Sequence, residues 1–173
     1  MPNYLAIPGI PGDSTADRHE REIEVESWSF GCTQPAAGHA GSGARVARPD
    51  FTDLVVSCRG SSASPLLLEA CATSRVIDEA VLTRQSEAGR GDPATEVRLN
   101  GVRVRGYTVI GSGDDLRDEV RFGFARVTFT MRGQLPDGRP GEAVSTTQPS
   151  IQPPVPTPGS GGVWRAREPV PDG

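Results

Sequence analysis

Few residues in this chain have a type and spacing that could do chemistry. The only candidates for a general base are His19, in the charged run DRHERE, and His39, in a glycine-rich segment. The first reads as solvated. Ser61, Ser62 and Ser64 belong to no GxSxG elbow and read better as a turn followed by a helix cap, so the sequence pairs no nucleophile with a base. Cys32, Cys58 and Cys71 form no CxxC pair, and their odd number fits no closed disulfide framework. Reduced thiols follow, rather than a bridge or a metal site. GHAGSGAR has neither a Lys after its last Gly nor a helix signal behind it, so it matches no phosphate-binding loop. Asp114, Asp115, Asp118 and Glu119 lack the alternate oxygen spacing of a calcium loop and read as a solvated loop tip. The residues thus predict a protein that is not an enzyme and that needs no cofactor.

Composition narrows the classes further. A chain of 173 residues is one domain, and with 35 % hydrophobic and 5 % aromatic residues its core must be modest and built from Val, Ile and Leu. A small core favours burial against neighbouring subunits. A formal net charge of -4 and a pI near 5.2 give no field that attracts phosphates, so nucleic acid is not an expected partner. No segment approaches the ~20 apolar residues of a membrane-spanning helix, and the opening MPNYLAIPGIPGD lacks a basic n-region. The expectation is a protein made in the cytoplasm without a signal peptide and not inserted in a membrane.

The elements that must position any site are mostly strands. Tyr4 to Ile7 reads as a first strand, closed by the PGIPGD turn cluster. In EIEVESWSFG, from Glu22 to Gly31, Ile23 and Val25 alternate on one parity and Trp28 and Phe30 on the other; a switch at Ser27 marks a bulge or a change of partner. The loop Cys32 to Asp50 is long, glycine-rich and locally basic through Arg45 and Arg48, and loops beyond ~12 to 15 residues are usually functional or disordered. Phe51 to Cys58 reads as a third strand. SPLLLEACAT follows as a short helix with Ser64 capping and Pro65 in the first turn. Leu66, Leu67 and Leu68 with Ala70, Cys71 and Ala72 cover most of its circumference, so it must be covered on two sides.

Val76 to Arg84 is a fourth strand, and SEAGRGDP is a turn-rich tip. Between Thr95 and Ile110, the pair Asn100-Gly101 divides Val97 and Leu99 from Val102 and Val104; it is either a hairpin turn or a bend in one long strand. GSGDD, Gly111 to Asp115, is the next loop. Glu119 to Met131 reads as the last strand, shifting faces at Ala125 and Arg126 as strands do where a barrel closes. From Gly133 onward prolines recur, and residues 133–173 read as a polyproline-like or disordered tail appended to a domain of residues 1–132.

NYLAIPGIPGDS, EIEVESWSFG, the Gly-rich loop into DFTDLVVS, SPLLLEAC and EVRFGFARVTFTM, in this order, resemble the Hcp family of type VI secretion systems, from Asn3 to about Arg132. The resemblance implies a mainly β protein: a single β-barrel of two sheets with one short flanking α-helix, a long loop extension and a Pro-rich C-terminal tail. It also implies homohexameric rings stacked into a tube that a contracting sheath expels. Effector proteins in the lumen, the sheath and the spike are then partners, and the apparatus itself exports the chain. Position by position, Trp28, Ser29 and Phe30 match the family's W-S-W/F strand, which implies Ser29 as the lumen-facing residue; Ser112 is a second lumen-facing candidate. Arg45, Arg48, Asp50, Leu66, Leu67, Leu68, Asp114 and Asp115 become candidates for contacts between subunits or stacked rings. The family usually ends in a short strand with a G-W motif, whereas Val163 and Trp164 here follow a long Pro-rich stretch; they either complete the barrel or belong to a separate arm. The alternatives are a tube protein of a related phage-tail-like injection system, or a monomeric β-barrel that binds a small ligand.

Overall fold

The computed structural model describes residues 1–34, 49–86, 93–135 and 140–150. Among these residues ten strands and one helix follow one another: β1 Asn3–Ala6, β2 Ile23–Ser29, β3 Cys32–Thr33, β4 Asp50–Phe51, β5 Leu54–Arg59, α1 Ser64–Ala72, β6 Val76–Arg84, β7 Thr95–Ser112, β8 Asp115–Gly123, β9 Arg126–Gln134 and β10 Pro140–Pro149. All pairings are antiparallel. The order β7-β6-β1-β2-β5-β8 returns to β7 through a β7–β8 ladder, so six strands close a barrel, with β9 and β10 added on one side. Closure leaves no unpaired edge inside the barrel. Alternation then fills it: Leu5, Ile23, Leu54, Val56, Leu82, Val97, Leu99, Val120 and Phe122 all point inward and are buried.

Two irregularities explain how so few strands close. The ladder between β2 and β5 shifts register between Val25 and Ser27; of the bulge and the change of partner that the parity switch left open, it is a bulge. The second lies in β7. Asn100-Gly101 makes no hairpin; β7 runs through it as one strand, with Gly101 at φ +62° and Ala125 packed where its Cβ would stand. Only glycine takes that backbone without strain. The bend lets Thr95 to Asn100 pair with β9 and Arg103 to Ser112 pair with β8. Inward parity moves accordingly, from Val97 and Leu99 to Val102 and Val104.

Several sequence expectations are corrected. The strand expected over Phe51 to Cys58 divides at Thr52 and Asp53 into β4 and β5. The strand expected over Glu119 to Met131 is two strands, because the chain turns a corner at Phe124 and Ala125: β8 pairs with β5 and β7, and β9 with β7 and β10. GSGDD shrinks to a two-residue turn, with Ser112 paired to Asp115 and Gly113 at φ +59°. The tail is not polyproline-like from Gly133 on: β9 continues to Gln134, and β10 pairs along it from Pro140 to Pro149. Its prolines sit at the two ends of β10, where a lost donor costs the ladder little, with AVSTTQ between them. Val163 and Trp164 lie outside the described residues, as does the tip over residues 87–92.

The helix falls where expected, but its cap differs. Ala63 holds the cap position without a side-chain hydrogen bond, while Pro65 occupies the first turn. At the other end Ser74, at φ 52°, donates to Cys71 O, and Arg75 N donates to Ala70 O, the two bonds that close a helix through a left-handed residue. Leu67 and Ala70 are buried on the barrel, whereas Leu68 faces away from it, 53 % exposed.

Candidate assembly and cargo surfaces

The register of β2, β5, β8 and β7 lays out one continuous outer face in rows. Ser29 lies beside Val55, Val55 beside Arg121, and Arg121 beside Gly106. The next row is Ser27, Ser57, Glu119 and Thr108, and the one after it holds Arg59, Arg117 and Ile110. Two residues further along β7 the face ends at Ser112, paired with Asp115. Ser29 and Ser112, assigned by resemblance alone, therefore stand on the same face, both exposed, with Gly106 to Ser112 spanning ~20 Å of strand. Trp28 turns to the other side, where its ring stacks on Phe30 and its Nε1 donates to Asn3 Oδ1 at 3.3 Å.

Charges on this face are internally matched. Arg59 and Arg117 are direct cross-strand neighbours, a pairing that repels. Glu26, the extra residue of the β2 bulge, places its carboxylate between them, 3.7 Å from Arg59 Nε and 3.3 Å from Arg117 Nη1. Arg121 reaches Glu119 at 3.4 Å along its own strand. Short polar side chains, paired charges and only Val55 and Ile110 as apolar members make a wall that offers little for a passing protein to adhere to.

The tip of the β7–β8 arm, Ser112 to Asp115, runs past the end of β5 and exposes Asp114 and Asp115. Asp118 does not belong to that solvated group. It is 1 % exposed and accepts hydrogen bonds from Ser64 Oγ at 2.5 Å and Tyr107 OH at 2.9 Å. Ser64 Oγ also accepts from Ser61 N at 2.9 Å, so the serine expected to cap the helix instead joins its first turn to β8. Burial, reinforced by the Asp118 hydrogen bond, pushes the Tyr107 hydroxyl up to about 12, and burial beside Asp118 does the same to the Cys58 thiol. The signal for Asp118 was present: it shares parity with the inward Val120 and Phe122.

The remaining candidates are dispersed. Leu67 is in the subunit's own core and has no surface for a partner; Leu66 is half-buried, so Leu68 alone presents a bare apolar side chain. Asp50 is exposed at the start of β4, while Arg45, Arg48 and His39 lie outside the described residues. His19 is not solvated: it stacks on Tyr4 at 4.2 Å, with Nδ1 2.9 Å from Glu22 and Nε2 3.3 Å from Gln85. Among the described residues, no three His, Cys, Asp or Glu side chains are grouped to hold a metal.

The family model described as "Type VI secretion system effector, Hcp" matches residues 4–131. No curated protein sequence matches. Among solved structures, Hcp1 from Salmonella typhimurium is similar at 27 % identity and TM-score 0.70, over 86 % of this chain and 94 % of its own. A type six secretion system protein aligns at 21 % identity and TM-score 0.77, over 87 % and 96 %. A type VI secretion system effector from Yersinia pestis aligns at 21 % and 0.69, over 85 % and 98 %. These last two speak for the fold alone. Because the family match spans most of the chain, and its barrel is the fold found here, the chain belongs to the Hcp family of type VI secretion system effectors.

Proposed function

We propose that this chain is a structural subunit of the type VI inner tube: six copies close a ring, rings stack, and the face that carries Ser29 and Ser112 lines the channel. The observation that carries the reading is that face. It joins both serines across four strands, is nearly free of exposed apolar side chains, and pairs its own charges, as a conduit for proteins requires. Ile110, 51 % exposed, is the exception; other apolar side chains that a monomer leaves in water lie off this face, on the helix at Leu68 and on β9 and β10 at Met131 and Val144, where neighbouring subunits can cover them. Effector proteins contact the channel wall, the sheath surrounds the tube and the spike caps it. The chain is made in the cytoplasm and leaves through the apparatus.

Stacking uses opposite charges at the two ends of the ring. Arg45 and Arg48 of one ring meet the exposed Asp114 and Asp115 of the next, with Asp50 nearby at the base of the same loop. Rim pairs of this kind contribute only ~0.2 to 1 kcal/mol each, but a ring repeats each of them around its circumference. Light scattering on a sizing column, followed by negative-stain images, tests the proposal: six-fold rings are expected, and a monomer at tens of micromolar would overturn it.

A further inference from the structure

The ribbon formed by β3 and β4 has only two residue pairs, Cys32 with Phe51 and Thr33 with Asp50, yet both ends of the segment 34–49 leave from it. A ladder that short cannot hold its own direction. Its orientation must come from the barrel. Several contacts contribute to it. Thr52 Oγ1 accepts from Gly31 N at 2.8 Å, the Phe51 ring meets Phe124 edge-on at 6.2 Å, and Arg105 Nη1 reaches Asp53 Oδ1 at 3.5 Å.

The third contact comes from β7, and its construction is specific. Arg105 is the extra residue where the β7–β8 register shifts between Val104 and Gly106, so its side chain is freed from the regular alternation. It passes over Gly123 of β8, where a Cβ would overlap its guanidinium. Glycine inside a strand weakens the strand, and here the close approach of Arg105 is the reason for it. The side chains of the pair are partly covered, Arg105 at 34 % exposure and Asp53 at 22 %. We infer that Arg105 is a positioning residue: aimed across Gly123 by the β7 bulge, it clamps Asp53 and thereby sets the direction of the β3–β4 ribbon. The clamp itself is independent of assembly. Its consequence for assembly rests on the proposed tube function.

Hydrogen exchange on the full-length chain tests both parts. Arg105→Ala should lower amide protection at Thr33 and Thr52 by about fivefold, the size expected for one partly covered ion pair, with β1, β2 and β6 unchanged. Arg105→Lys, which keeps the charge, should restore much of it. Unchanged protection in the Ala variant, or equal loss in both variants, overturns the clamp. Ring yield is read on the same samples, and Arg105→Ala should lower it with partial recovery in Arg105→Lys. Reduced protection with full ring yield overturns the role of the clamp in assembly. Absence of rings from the unaltered chain would instead sink the tube reading, with the exchange data still judging the clamp.

Discussion

Removing the Asp118 carboxylate separates the two costs that a buried charge carries. Asp118 joins three elements, β8 through its own backbone, α1 through Ser64 and β7 through Tyr107, and is 1 % exposed. Hydrogen bonds to a charged acceptor are worth ~1.5 to 3 kcal/mol each, while desolvating a carboxylate costs several kcal/mol. In Asp118→Ala the second term disappears with the charge, but two hydroxyl donors are stranded at ~1 to 3 kcal/mol each. The net loss should be about 3 kcal/mol, or ~6 to 12 °C in Tm for a chain of this size. Asp118→Asn keeps the shape and one acceptor oxygen, and either hydroxyl can rotate to accept from the new amide, so its loss should be about 1 kcal/mol. Thermal and urea melts at pH 7 and one protein concentration measure both, because assembly would raise Tm by mass action. A double-mutant cycle with Tyr107→Phe should give a coupling of about 1 kcal/mol or more. An Ala variant melting within a degree of the parent, or an Asn variant melting above it, would refute the reasoning, since desolvation would then outweigh both hydrogen bonds.

Alkaline pH should weaken the fold through the same cluster: Cys58 and Tyr107 are raised to about 12 from 9.0 and 10.0, so the unfolded chain loses those protons first. Their stabilisation is complete below pH 9 and lost as pH rises toward 12; Cys58→Ala should flatten the early part of a Tm-against-pH curve, and an identical curve counts against the shift. Leu67→Ala should cost ~2 to 5 kcal/mol in urea melts, as a core truncation does, whereas Leu68→Asp should reduce ring yield and, at concentrations too low for assembly, leave the melt within ~0.5 kcal/mol. Ser29→Gln should fold and form rings like the parent while retaining less cargo protein in pull-downs; unchanged retention removes Ser29 from the channel wall. The double variant Arg45→Glu with Arg48→Glu should keep rings but shorten tubes in electron micrographs at low salt, where such pairs are least screened.

A chain cut after Ser150, and not one cut before β10, is the form in which the Pro-rich tail can be removed without unpairing β9. That boundary illustrates what the sequence could not carry. The strands β1, β2 and β6, the parity switch at Ser27, the extent of the helix and the family were legible in it, because alternation, proline and glycine act locally and leave their mark within a few residues. Pairing is not local. Whether Asn100-Gly101 turned or merely bent depended on β9 and β8 both lying along β7, and whether AVSTTQ became a strand depended on β9 having a free edge. Tertiary structure alone likewise decided that Asp118 is buried, that Arg105 crosses Gly123, and that Ser29 and Ser112 share a face. Each is set by register between strands distant in sequence, and a single residue's shift in register would turn every one of those side chains to the opposite side.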